Sequence, residues 1–312
     1  MEATKRISLS IFTIVFILIM SCKEDKKEAE ILIEEPIHSS EQSEGCPSYI
    51  LKEKKNNLNI SVLLDLSDRI EKLKTREKDS SYLASLSQTF VEHVKKKKLI
   101  LLEDKMQLFF NPEPSDEKIN KIAEKLKISF TKDTPKPYIE QTLGLYAEKP
   151  SELYELAIDD AEIAKNYPGS DIWRFFKDNV KDYCIDECHR NILVILTDGY
   201  MYYEGSIMND KNRTSYLTPK SLDQLKLNTA NWEDELRKRD LGFIPATADL
   251  SDLEVLVIGI SNQNENNPYS QDIIETYWSN WLEEMGVKRY KVKNADLPSS
   301  IEKVISDFIL KI

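Results

Sequence analysis

Glycine is scarce in this chain, with eight residues in 312. No glycine-rich loop is therefore available to cradle a phosphate, which argues against the nucleotide-binding fingerprints. Histidine is scarcer still, with three residues, and His93 and His189 are too few and too poorly placed for a catalytic triad. A basic excess is also missing: 43 Lys and Arg stand against 54 Asp and Glu, a formal charge of −11. That balance lacks the broad positive footprint of a nucleic-acid binder, so nucleic acid is not an expected partner. The apolar run Ile11–Met20 falls short of the roughly 20 residues that a membrane-spanning helix needs.

That run has another use. Lys5 and Arg6 precede it and Ser21-Cys22 closes it, the order of a charged region, an apolar region and a small-residue junction in a secretion signal. Ile19-Met20-Ser21-Cys22 resembles a bacterial lipobox, which makes residues 1–21 a lipoprotein signal peptide and Cys22 the lipidated first residue. Lys23-Glu24-Asp25 resembles the export tag of surface lipoproteins in the Bacteroidetes lineage. The expected location is the bacterial outer membrane, periplasmic or surface-exposed, with membrane contact only through the lipid. Residues 22–57 are charged, Ser- and Glu-rich and aperiodic, and read as a tether.

Once Cys22 is assigned to lipid, Cys46, Cys184 and Cys188 remain. In an oxidising envelope two of them are expected to pair. Cys46 with either of the others clamps the tether, whereas Cys184–Cys188 closes a small loop. Zinc on Cys184, Cys188 and His189 is disfavoured, because the spacing lacks its usual partner set and a fourth ligand.

The domain, residues 58–312, is organised around Asn59–Arg69, NISVLLDLSDR. Ile60, Val62, Leu63 and Leu64 form a nearly continuous apolar run, as a strand covered on both faces requires. Asp65, Ser67 and Asp68 follow at its carboxyl end, where open α/β sheets place their ligand crevice. Asn191–Thr197 ending in Asp198-Gly199, and Leu253–Ile260 ending in Ser261 and Asn262, repeat the unit. Amphipathic helices are expected over 82–94, from a Ser115 cap to Leu126, from Tyr138, over 151–165, from a Ser170 cap to Tyr183, over 272–285 and from Pro298. Met106–Phe110, Leu126–Phe130 and Val287–Val292 supply further strands. The fold class is α/β, a doubly wound (Rossmann-like), mostly parallel sheet with helices on both faces. Residues 200–250 exceed an ordinary loop and form an insertion with one helix near Trp232–Arg239. Its aromatics suit either a partner interface or packing onto the domain.

Asp65, Ser67 and Asp198 together make a hard oxygen site suited to Mg²⁺ or Mn²⁺. With the LTDG stretch, these residues resemble a von Willebrand factor type A domain over about Asn57 to Ile312. The resemblance implies an antiparallel third strand at the sheet edge and a metal-ion-dependent adhesion site that binds protein or glycan partners. It also implies a threonine from a middle loop: Thr134 fits best, with Thr131 and Thr142 as alternatives. Arg69 stands where the family has its last serine. It swings outward, or it pairs with Asp65, Asp68 or Asp198 and replaces the metal. The expected function is a lipoprotein that binds a protein or glycan partner, not an enzyme. A structural subunit with a non-functional metal site is the alternative, and a metal-dependent hydrolase is a third reading.

Overall fold

The computed structural model describes residues 56–164, 166–263 and 267–311. The signal, Cys22, Cys46 and nearly all of the tether lie outside the described residues. Strand β1 (Asn57–Leu64) is buried along its whole length. It is followed by α1 (Leu73–Lys95), β2 (Lys105–Phe109), α2 (Glu117–Lys125), β3 (Ile128–Ser129) and α3 (Lys136–Ala164). Next come α4 (Ile172–Arg174), a π-helical turn (Phe175–Asn179), α5 (Val180–Cys184) and β4 (His189–Leu196). The segment after β4 holds β5 (Asn209–Asp210), β6 (Arg213–Thr214), α6 (Pro219–Gln224), α7 (Trp232–Lys238) and β7 (Gly242–Phe243). The chain closes with β8 (Leu253–Ile260), α8 (Ser270–Glu284), β9 (Arg289–Asn294) and α9 (Pro298–Leu310).

The main sheet has the order β3-β2-β1-β4-β8-β9. All its pairings are parallel except β2 with β3, so the third strand is indeed an antiparallel edge. Successive side chains of a strand face opposite sides, and the sheet uses both. Ile60, Val62 and Leu64 of β1 join a core with Leu86 and Phe90 of α1, Tyr146 and Leu153 of α3, and Ile305 of α9. Leu63 points to the other core, with Phe175, Phe176, Trp278 and Trp281. This is a doubly wound α/β sheet covered on both faces.

Several elements depart from expectation for identifiable reasons. Helix α1 starts at Leu73, nine residues ahead of the apolar pattern, because Leu73–Asp79 is charged and only Asp79 of that stretch is buried. The two helices expected between Tyr138 and Lys165 are one, α3, of 29 residues with Pro150 inside it. The cap of α2 is Asp116, whose carboxylate accepts from Lys118 N, and not Ser115. The insertion holds a three-stranded sheet, β5-β6-β7, and a second short helix with a Thr218–Ser221 capping box. It packs inward through Phe243, whose ring meets Tyr277, Trp278 and Trp281 of α8 edge-on. Outward it leaves Tyr202, Ile207 and Met208 exposed.

Candidate functional site

Strands β1 and β4 are neighbours, and from them the chain winds outward in both directions. In such a sheet the crevice opens where the winding direction changes, at the carboxyl ends of the two strands. Asp65 follows β1 and Asp198 follows β4, so the two carboxylates meet at that switch point. A cleft of about 840 Å³ opens there, lined by Asp65, Ser67, Ser170, Asp198 and a set of tyrosines.

Asp65 is almost wholly buried. Its Oδ1 accepts from Ser67 N at 3.0 Å and its Oδ2 from Thr197 Oγ1 at 2.7 Å. Thr197 Oγ1 in turn accepts from Gly199 N at 3.1 Å. Asp198 is also buried; its Oδ1 accepts from Tyr200 N at 3.1 Å and its Oδ2 from Gln263 Nε2 at 2.7 Å. Burial pushes the Asp65 carboxyl up, against the opposing pull of the Arg69 guanidinium. Burial, and then the neighbouring Asp65 charge, push Asp198 up to about 6. Two buried carboxylates, one of whose charge raises the proton affinity of the other, are a place where an added cation is favourable.

Gly199 makes the turn beneath the site at φ +94°, a left-handed conformation that favours glycine. A Cβ there would stand 2.6 Å from Ile274 Cγ2. Its carbonyl accepts from Trp278 Nε1 at 2.9 Å, which fixes the loop to α8.

Arg69 takes neither of its expected courses. It is buried, not swung outward, and its fork grips Asp79 of α1, with Nη1 at 2.8 Å and Nη2 at 3.2 Å. Tyr154 of α3 donates to the same carboxylate at 2.9 Å. Toward the site Arg69 gives one hydrogen bond, from Nη1 to the main-chain oxygen of Asp65 at 3.2 Å. The anion that holds Arg69 is Asp79, ten residues along the chain, and not one of the three carboxylates considered from the sequence.

Thr134 is misplaced by the sequence reading. Strand β3 runs antiparallel to β2, Lys105 opposite Ser129 and Met106 opposite Ile128. The chain leaving β3 therefore emerges at the amino edge of the parallel strands, away from Asp65. There Thr134 Oγ1 accepts from Thr131 N at 2.7 Å, inside its own loop. Thr142, inside α3, donates to Tyr138 O.

A hydroxyl that does line the cleft is that of Ser170, read from the sequence as a helix cap. The cap is instead Asp171, which accepts from Arg174 N at 3.0 Å. Ser170 is 6% exposed and its Oγ has no hydrogen-bond partner. The loop that carries it is pinned where Gly169 N donates to Leu66 O at 3.1 Å. The Pro168-Gly169-Ser170 turn at the end of a long helix was the available signal. Thr197 and Gln263 were also missed. The first stands beside Asp198 in sequence; the second carried no signal.

The residues present fit a hard divalent cation. Asp65, Ser67, Asp198 and Ser170 offer oxygen donors only, and Ser170 Oγ is buried and otherwise unused. Among the described residues no group of three or more His, Cys, Asp or Glu side chains gathers, so a cation here would depend on hydroxyls and water beside the carboxylates. For the cysteines, Cys184 is free and buried, while Cys188 takes part in a disulfide. The Cys184–Cys188 pairing is therefore not formed. His189 contacts backbone oxygens of Glu187 and Glu103 with its two ring nitrogens, each at 2.8 Å, an arrangement unlike a zinc site.

No protein-family model and no curated protein matches the chain. Two solved structures resemble it distantly. One is an aerotolerance-related membrane protein from Bacteroides fragilis, solved with multiple mutations to serines, at 14% identity and a TM-score of 0.36, over 82% of this chain and all of that one. The other is the pilus adhesin SpaC from Lactobacillus rhamnosus GG, at 11% identity and a TM-score of 0.34, over 83% of this chain and 31% of that one. At such scores neither likeness carries an argument about this chain.

Proposed function

We propose that the chain is an envelope lipoprotein whose von Willebrand factor type A-like domain binds a protein or glycan partner through a divalent cation, Mg²⁺ or Mn²⁺. The observation that carries this reading is the meeting of two buried carboxylates, Asp65 and Asp198, at the switch point of the sheet, with the unpartnered Ser170 hydroxyl lining the same cleft. Asp65, Ser67 and Asp198 hold the ion directly or through water, and Ser170 supplies the hydroxyl that the sequence assigned to Thr134. A site of two carboxylates leaves an ion with coordination positions for a partner's oxygen.

The surroundings support binding over catalysis. Leu73, Ile163, Tyr202 and Leu297 are exposed. Leu73 opens α1 after the Asp65 loop, and Ile163 ends α3 just before the Ser170 loop. Tyr202 lines the cleft, and Leu297 follows β9. Exposed apolar side chains around a polar cleft are features of interaction surfaces. Anchoring is assigned to Cys22, with an outer-membrane location, periplasmic or surface-exposed. Among the described residues no helix is long and apolar enough to cross a membrane.

A structural role with a non-functional metal site rests on Arg69, whose charge draws down the proton affinity of both carboxylates. Its fork is committed to Asp79, however, which favours the cation reading. Calorimetric titration with Mg²⁺ separates the two. Saturable binding in the wild type, absent in Asp65→Ala, is expected; identical traces from both proteins would leave the structural reading.

A further inference from the structure

The cleft that holds the carboxylate pair is far larger than a metal ion needs, at about 840 Å³, and its charge is of one sign. Asp65 and Asp198 are its buried acids, Asp68 and Glu204 its exposed ones. Among the described residues no Lys, Arg or His lines it. Two guanidinium groups close by are committed elsewhere, Arg69 to Asp79 and Arg174 to the carbonyl of Gly205 at 2.6 Å. Lys72, Lys74 and Lys78 line a separate recess of about 240 Å³, which shares only Asp198 and Gln263 with the cleft. A metal ion on Asp65 and Asp198 offsets those two charges. Asp68 and Glu204, which enter no ion pair among the described residues, are left uncompensated.

Two observations independent of that charge point to a ligand. The lining is aromatic: Tyr167 enters from the loop after α3, and Tyr200, Tyr202 and Tyr203 from the segment after β4. The Tyr203 ring stands against both Gly169 and Gly205, so it joins the two walls. Tyr202 is 53% exposed, and its ring is steadied by an edge-on contact with Tyr216 at 6.3 Å. The other observation is Ser170, 6% exposed in the same lining and with its Oγ unpartnered, a buried polar atom that itself calls for a ligand. The faces of tyrosine rings attract ammonium and guanidinium groups. Rings beside carboxylates, with no base among them, make a seat for an organic cation.

We infer that the partner received at this cleft is a basic polypeptide segment, whose Lys or Arg side chain lies among the tyrosines and pairs with Asp68 and Glu204. The inference rests on the reading of this cleft as the partner-binding site, and it names the partner's chemistry. The oxygen that completes the shell of the metal ion comes from the segment's main chain. A formal charge of −11 draws such a segment in and opposes an acidic one. A neutral glycan suits the rings but gains nothing from the two uncompensated carboxylates. The lysines of the adjoining recess repel the segment from their side. That directs it over the insertion, where Tyr202, Ile207 and Met208 are exposed.

The test uses the full chain carrying Cys22→Ala, which keeps the protein soluble without an acyl anchor. The probe is a fluorescein-labelled hexalysine peptide, followed by anisotropy at low salt, with Mg²⁺ and again in EDTA. Binding is expected in both, because Asp68 and Glu204 are not metal ligands. It should weaken about tenfold in Asp68→Asn/Glu204→Gln and about threefold in Tyr202→Ala. Glu124→Gln/Glu155→Gln, a charge-matched change at exposed positions of α2 and α3, should leave it in place. Calorimetric Mg²⁺ heats should be unchanged in Asp68→Asn/Glu204→Gln, which shows the fold and the metal site intact. Three results would overturn the inference: no peptide binding in either condition; equal losses in the cleft and control variants; or binding of maltohexaose, lost in Tyr202→Ala, with none of hexalysine. Mg²⁺ heats without peptide binding would sink the basic partner and leave the metal site standing. Peptide binding without Mg²⁺ heats would sink the metal site and uphold the basic partner.

Discussion

Arg69 shows how one side chain can be read correctly in chemistry and wrongly in partner. A buried guanidinium needs an anion, and the sequence offered Asp65, Asp68 and Asp198; the fold supplies Asp79 one helical segment later. Removing one member of such a pair leaves the other charged and buried, at a cost of about 3–5 kcal/mol. Arg69→Met should lose stability on that scale in urea unfolding, and Arg69→Met/Asp79→Leu should regain most of it. A single variant as stable as the wild type would contradict the pairing. Asp198 makes the opposite prediction. Its carboxyl is pushed up to about 6 in the folded protein, from an ordinary value of 3.8. The native state therefore holds the proton more tightly than the unfolded chain, and stability falls as pH rises through the interval between those values. In EDTA, Asp198→Asn should gain on the wild type as pH is raised from about 4 to about 7, by at most on the order of 3 kcal/mol. Unfolding curves that differ equally at both ends of that range would refute the raised affinity.

At the scale of elements, strongly patterned segments were legible and short or charged ones were not. The apolar runs of β1, β4 and β8 gave the three central strands, and Ile273, Tyr277, Trp278 and Trp281 gave α8. The first turns of α1 escaped because their solvent-facing residues carry no apolar period. Strands β5, β6 and β7, two residues each, are too short for any period to register. Thr134 was misassigned even though the resemblance implied an antiparallel third strand: that strand returns the chain to the amino edge, so the loop that follows it lies away from Asp65. Asp65 and Asp198 were found because they sit one and two residues beyond long apolar runs, whereas Ser170 follows an irregular turn. The junction of β4 with α8 depends on Gly199, where a Cβ would also approach Ile260 Cδ1 to 2.8 Å. Gly199→Ala combines this overlap with a left-handed backbone, and should cost roughly 2–4 kcal/mol in thermal or chemical unfolding. Loss of less than a few tenths would mean that the turn relaxes freely.

For the whole molecule, the two faces and two edges of the sheet have separate roles. Both faces are filled by helices. At the amino edge, Asp104 accepts from Leu58 N, pairs with the buried Lys97 ammonium and stands against the His93 ring, closing that end. At the carboxyl edge the charges are less fully matched. Asp65 and Asp198 face one cleft, the lysines of α1 face the other, and exposed apolar side chains surround them. That asymmetry is why the partner-binding role is assigned to the carboxyl edge. The proposal's central element is the cation, and the most direct measurement is an anomalous difference map from crystals soaked in Mn²⁺. The account predicts one strong peak within coordination distance of Asp65 and Asp198, with Ser67 and Ser170 around it, and no peak there in Asp65→Ala crystals. A map without a peak at that position, at a Mn²⁺ concentration that saturates any binding seen in solution, would contradict it.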